Sequence, residues 1–167
     1  MFTLKPITAD GIPAALERAE RYRLLNDPVA AESICLDVLE IDPENQRALV
    51  ALLLARSDQF SSPHGAGVAQ AREVLPRLSG AYDRAYYAGL IAERRGRALL
   101  DAHGPGQAQM AWHAIREAME LYESAERIRP PGNDDALLRW NTCVRLLKAH
   151  PNLEPRGEEE YQPVMGD

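Results

Sequence analysis

The chain has 167 residues, of which 46% are hydrophobic, and a formal net charge of -6. That is the length of one domain with enough apolar content to bury a single core. Its negative charge excludes broad attraction to nucleic acid or to an anionic membrane, both of which would repel it.

In chain order the patterning is helical throughout, because the β-branched and aromatic residues nowhere alternate with polar ones over a useful length. The first helix is expected over Pro13 to Leu25, with Leu16, Ala19, Tyr22 and Arg23 near one face and Asn26-Asp27 as the turn. Asp27-Pro28 then starts a second helix: a carboxylate accepts from free backbone N–H groups, and the proline ring fixes a φ suited to the first turn. It runs to about Ile41 with Ala31, Ile34, Cys35, Val38 and Ile41 on one stripe, and Asp42-Pro43 repeats the device before a third helix to about Phe60. Within that helix lies the longest apolar run, the eight residues Ala48 to Ala55, far short of the roughly 20 that span a bilayer.

Ser61 to Gly65 reads as a loop, and Ala66 to Leu78 as a shorter helix with Pro76 marking a kink or an early end. A long fifth helix covers Ala81 to about His103, carrying Ala85, Ala88, Ala92 and Leu99 on one side, and Gly104-Pro105-Gly106 breaks it. The sixth runs to about Ile128 with Ala111, Ile115, Ala118, Tyr122 and Ala125 as a continuous seam. After Pro130-Pro131-Gly132, Asn133 or Asp134 caps a seventh helix whose buried face is Ala136, Trp140, Cys143 and Leu147. The expected fold class is therefore all-α with about seven helices, in one domain over residues 1–150. Residues 151–167, with their prolines, glycines and the run Glu158-Glu159-Glu160, are expected to form an acidic, disordered tail. Cys35 and Cys143, far apart and each in an apolar helical pattern, fit reduced core thiols, and residues 1–11 lack a signal-peptide pattern, so the expected location is cytoplasmic.

One pattern occurs twice. Ala31 to Pro43 reads AESICLDVLEIDP, and Ala118 to Pro130 reads AMELYESAERIRP, so that Ala31, Cys35, Val38 and Pro43 correspond in spacing to Ala118, Tyr122, Ala125 and Pro130. This alternation of small and bulky residues closed by a proline resembles the second helix of a tetratricopeptide repeat. The first helix of such a repeat is echoed in Ala15, Ala19 and Tyr22, in Leu49 and Leu52, and in Tyr86 with Gly89 and Gly96. The two closing prolines stand 87 residues apart, whereas two periods of 34 would separate them by 68. About two of the excess residues fit in the loop near His64, and the rest fall to longer helices on both sides of Gly104, which extends the third hairpin. The family's first aromatic position is Ala15 here, its next leucine is Arg18, and the middle repeat ends in Ser79-Gly80 without a proline.

The resemblance implies antiparallel hairpins stacked in a right-handed superhelix, about three repeats plus a capping helix. It also implies a non-enzymatic scaffold or adaptor whose concave groove binds a peptide segment of a partner protein. By register that groove would present Glu20, Arg23, Arg47, Val50, Leu54, Tyr86, Leu90, Glu93, Arg94 and Asn141. Two other readings stand beside it: a self-associating helical protein in which the seventh helix or the extended third hairpin packs on a second copy, and a helical-bundle enzyme using Glu93, Arg94 and His103.

No cofactor, nucleic-acid or membrane partner is expected, and no metal, since His64, His103, His113 and His150 form no HxxxH, ExxH or CxxC spacing. His113 and Glu117, one turn apart, read as an ordinary surface contact. Arg94, Arg95 and Arg97 form the densest basic feature, which either receives an acidic segment or pairs with Glu93 and Asp101 along a solvated face. Trp140 is expected in the core and Trp112 nearer the surface.

Overall fold

A computed structural model describes residues 2–155 of the chain; Met1 and residues 156–167, with the acidic run Glu158 to Glu160, lie outside the described residues. The elements are α1 (Ile12–Leu24), α2 (Pro28–Ile41), α3 (Gln46–Ser57), α4 (Val68–Arg72), α5 (Ala81–Ala102), α6 (Gln107–Arg127) and α7 (Asp135–Ala149). Single turns of 3-10 helix lie at Ala9–Gly11, Leu75–Arg77 and Pro151–Leu153. Among the described residues there is no strand, and no helix is long and apolar enough to cross a membrane.

The helix starts follow from local chemistry. Asp27 accepts from the Ala30 amide at 3.1 Å, with Pro28 as the first helical residue of α2 and Asn26 turning the chain at φ 61°. At α3 the device shifts by three residues from expectation. Asn45 is the cap, accepting from the Ala48 amide at 2.9 Å, while Asp42 accepts from the Asn45 side chain at 3.0 Å. The expected fourth helix is cut to five residues, Val68–Arg72. Pro76 has no N–H to continue an α-helical ladder, so the chain passes into a 3-10 turn that still buries Val74 and Leu78. The preceding loop is tied down by Gln59, 5% exposed, whose amide donates to Glu32 and whose oxygen accepts from Ala66. A Cβ on Gly65 would stand 2.6 Å from the Gln59 carbonyl oxygen, so only glycine fits the loop's closest approach.

Sequence neighbours pack as hairpins, and the odd-numbered helices also meet in a row, α1 with α3, α3 with α5 and α5 with α7. They share one face. The third hairpin is the longest, with helices of 22 and 21 residues against 13 and 14 in the first. It closes over small residues: a Cβ at Gly89 would lie 2.7 Å from the Tyr122 ring, and one at Gly96 2.7 Å from Ile115 Cδ1. Both glycines are buried, as is the seam Ala111, Ile115, Ala118, Tyr122 and Ala125. Of the side expected for α5, however, Ala85, Ala88 and Leu99 are only half-buried, and the helix turns Gly89 to Glu93 inward instead.

The buried side chains form two clusters that meet on α5: Ile91 belongs to the one built by α1 to α4, and its neighbour Ala92 to the one built with α6 and α7. Cys35 sits in the first and Cys143 in the second, both unpaired and buried, and burial pushes each thiol up to about 12. In α2, Ile41 is exposed where the stripe predicted burial, and Leu39 takes its place. Both tryptophans are half-buried. Leu153, 7% exposed, packs against the end of the helical array, so the folded part continues past His150 into the expected tail.

Candidate functional site

The shared face of the odd helices carries a cavity of about 390 Å³ between α1 and α3. Its floor is Val50, Ala51 and Leu54; its rim is Glu20, Arg23, Gln46 and Arg47. These α3 residues recur at three- and four-residue intervals, which aligns them on the helix surface beside α1. The floor exists because α3 is apolar on nearly every side: Ala48, Leu49, Leu52 and Leu53 face the core, and Val50 and Leu54 are left half-buried toward the cavity. On the rim, Arg47 and Glu20 pair at 2.9 Å with half of each side chain in solvent. Such a pair contributes little to stability and separates readily.

Beyond the cavity, two separate groups of ion pairs tie the odd helices together, one from α1 to α5 and one from α5 to α7. Arg23 of α1 reaches Asp58, just after α3, at 2.7 Å, and the other Asp58 oxygen takes Arg94 of α5 at 2.6 Å. Arg94 also donates to the Leu54 carbonyl at 3.0 Å and to the Ser57 hydroxyl. Burial lowers the Arg94 pKa, and Asp58 opposes that shift; guanidinium stays charged regardless.

Next to Arg94 in the chain, Glu93 is 1% exposed and holds three partners. Tyr122 donates to it at 2.8 Å, Arg97 donates at 3.1 Å, and Arg139 of α7 stands 3.6 Å off. Burial pushes the Tyr122 phenol well above its ordinary range, and the adjacent carboxylate adds to the shift. Arg139 loses some of its preference for charge to burial, but Glu93 and a hydrogen bond with Tyr86 more than restore it, so its pKa is raised. Tyr86 also stacks on Tyr82 at 5.8 Å and meets the Tyr87 and Tyr122 rings at 5.1 and 5.9 Å.

The residues expected in a groove therefore divide. Glu20, Arg23, Arg47, Val50 and Leu54 surround one cavity, and Arg94 and Tyr86 continue along the same face. Leu90, 2% exposed, and Glu93 are core residues, because α5 packs on both halves of the protein and has no solvated side at that level. Asn141 lies elsewhere, in a cavity of about 290 Å³ with Leu137, Trp140, Glu123 and Glu126. The α7 residue on the shared face is Arg139, two positions back and so nearly opposite on the helix.

Sequence reasoning also missed Asp58, although it follows Leu54 by four and continues the Arg47, Val50, Leu54 stripe. Arg97 and Glu93 do pair as expected, but around a buried carboxylate instead of along a solvated face. Glu117 turns from His113 to Arg72, at 2.8 Å. His103 caps α5 at φ 50° and is exposed, and ten residues of helix, roughly 15 Å, separate it from Glu93. The three groups of the enzyme reading are not brought together.

Comparison with family models, curated proteins and solved structures finds no match for this chain.

Proposed function

We propose that this chain is a tetratricopeptide-like adaptor of the cytoplasm, three helical hairpins and a capping helix, that holds a peptide segment of a partner protein on the face of its odd-numbered helices. The observation that carries this reading is the cavity between α1 and α3, with Val50, Ala51 and Leu54 as floor and separable charges as rim. An apolar floor supplies affinity for one or two anchoring side chains, and rim charges of both signs orient a backbone. The row of contacts from α1 to α7 supports the superhelical part of the reading, since stacked hairpins of this kind bring their first helices together along one side. So does the Gly89–Tyr122 packing, a small residue admitting an aromatic where helices cross.

The test is affinity capture from the source cell's lysate with the full chain and with Val50→Glu, both checked by circular dichroism. Val50 is half-buried at the cavity floor, so a carboxylate there leaves the core intact and makes the floor repel apolar anchors. A protein retained by the parent and lost by the folded variant supports the reading. Identical captured sets with both refute it. Arg94 is a poorer probe than its place in a basic cluster suggests, because replacing it breaks the ion pairs that join α3 to α5.

A further inference from the structure

Seven of the ten large apolar side chains that stand exposed among the described residues lie within residues 2–41. Terminal repeats of a stacked array ordinarily present a polar outer face, whereas this hairpin exposes large apolar side chains among its charges. On α2, Val29 and Leu36 are 63% and 46% exposed, with the small Ser33 between them on the same outward stripe. The segment before α1 lies alongside. Leu4, Lys5, Pro6 and Ile7 face Leu36, Asp37, Glu40 and Ile41 across a cavity of about 400 Å³. Phe2, two residues from that wall, projects wholly into solvent at 106% exposure and leaves the cavity open.

We propose that this surface joins two copies of the chain across a two-fold axis, each inserting Phe2 into the other's cavity. Three observations select a second copy as the occupant. The knob and the hole belong to the same patch, which is the requirement of an isologous contact, and an apolar cavity of about 150 Å³ already accepts a benzene ring. The charges are self-complementary: Lys5 stands beside Asp37 and Glu40 on the cavity wall, and none of the three forms an ion pair among the described residues. Turned through a two-fold axis, each Lys5 faces the other copy's carboxylates.

The area also suffices. Phe2, Leu4, Val29, Leu36 and Ile41 together present on the order of 600 Å², and a standard interface of about 800 Å² per partner needs a little over half of that area apolar. This face lies on α2, away from the cavity between α1 and α3, so the dimer leaves that cavity open on each copy. It also differs from association through α7 or the long third hairpin.

Sedimentation equilibrium of the full chain tests the proposal, with circular dichroism to show that each variant folds. The expected result is a dimer whose dissociation constant rises at least tenfold in Phe2→Ser and in Leu36→Glu and is unchanged in Leu138→Glu, a control on the exposed side of α7. A charge-swap pair adds a readout that loss of packing does not mimic. Lys5→Glu and the double variant Asp37→Lys, Glu40→Lys each weaken self-association, and an equimolar mixture of the two restores a heterodimer. A monomer at all concentrations overturns the proposal. So does a dimer insensitive to Phe2 and Leu36, one broken by Leu138→Glu, an open-ended series of oligomers, or a charge-swapped mixture that stays monomeric.

Discussion

Replacing Gly89 by alanine tests the central packing of α5 on α6. Two effects oppose each other. Alanine favours an exposed helix interior over glycine by about 1 kcal/mol, so on propensity alone the variant gains stability. Against it, the new methyl carbon would stand 2.7 Å from Cε1 and 2.8 Å from Cδ1 of Tyr122. That ring cannot slide away, because its hydroxyl is anchored on Glu93 at 2.8 Å and its residue is fully buried. Overpacking of this kind costs about 1–3 kcal/mol, and an immobile ring belongs toward the upper part of that range, so the net loss is about 1–2 kcal/mol. For a protein of this length that lowers Tm by roughly 3–6 °C.

Gly96→Ala is the matched control. Its methyl would meet Cδ1 and Cγ1 of Ile115 at 2.7 and 2.8 Å, an aliphatic side chain that no hydrogen bond anchors. Gly96→Ala should therefore cost less than Gly89→Ala, with a net loss of up to about 1 kcal/mol. Urea unfolding followed by circular dichroism, repeated in a Tyr122→Leu background, completes the cycle. With the ring gone, Gly89→Ala should become neutral or stabilising. A stabilised Gly89→Ala single variant, or one with the same cost in both backgrounds, would refute the proposed wedge.

Glu93→Gln keeps the acceptor for Tyr122 but removes the charge between Arg97 and Arg139; those guanidiniums are 44% and 38% exposed and can rehydrate, so the expected cost in urea unfolding is about 1–2 kcal/mol. Glu93→Leu also orphans the buried Tyr122 hydroxyl and should cost at least about 1 kcal/mol more; equal losses from the two variants would count against the hydrogen bond. For the cysteines the folded-state pKa of about 12 exceeds the ordinary 9.0, so the unfolded chain releases thiol protons first. Their contribution is fully present below pH 9 and is lost as the pH rises toward 12, and a Cys35→Ala, Cys143→Ala variant should show a shallower fall of stability across that window. An unchanged alkaline slope would mean that other groups carry it.

Much of the helical framework was legible because its signals are local. Asp27-Pro28, Gly104-Pro105-Gly106 and Pro130-Pro131-Gly132 act through backbone geometry that neighbours cannot easily override, and the α6 seam from Ala111 to Ala125 repeats long enough to fix its buried side. The fourth helix was not legible. Ala66 to Leu78 has helical composition, yet Pro76 and the burial of Val74 and Leu78 together favour an irregular path. At the candidate site, Glu20, Arg23, Arg47, Val50 and Leu54 could be found because one stripe of α3 and its α1 neighbour supply them all. Asn141 could not be placed correctly, since the turn after Pro130 sets the rotation of α7 and no periodic signal crosses it. Glu93 looked like a surface acid because its partners on α6 and α7 lie 29 and 46 residues further along the chain.

The adjacency of Ile91 and Ala92 bears on how the molecule comes apart. A chain whose apolar interior is divided between two clusters would ordinarily open one half at a time. Here a single peptide bond joins side chains that serve both clusters, and α5 is continuous through that point. Fraying α5 enough to free one cluster withdraws a wall from the other. The slowest-exchanging amides of α3 and of α6 should then share one opening event, and a nick within α5 should release both halves together instead of leaving a folded remnant.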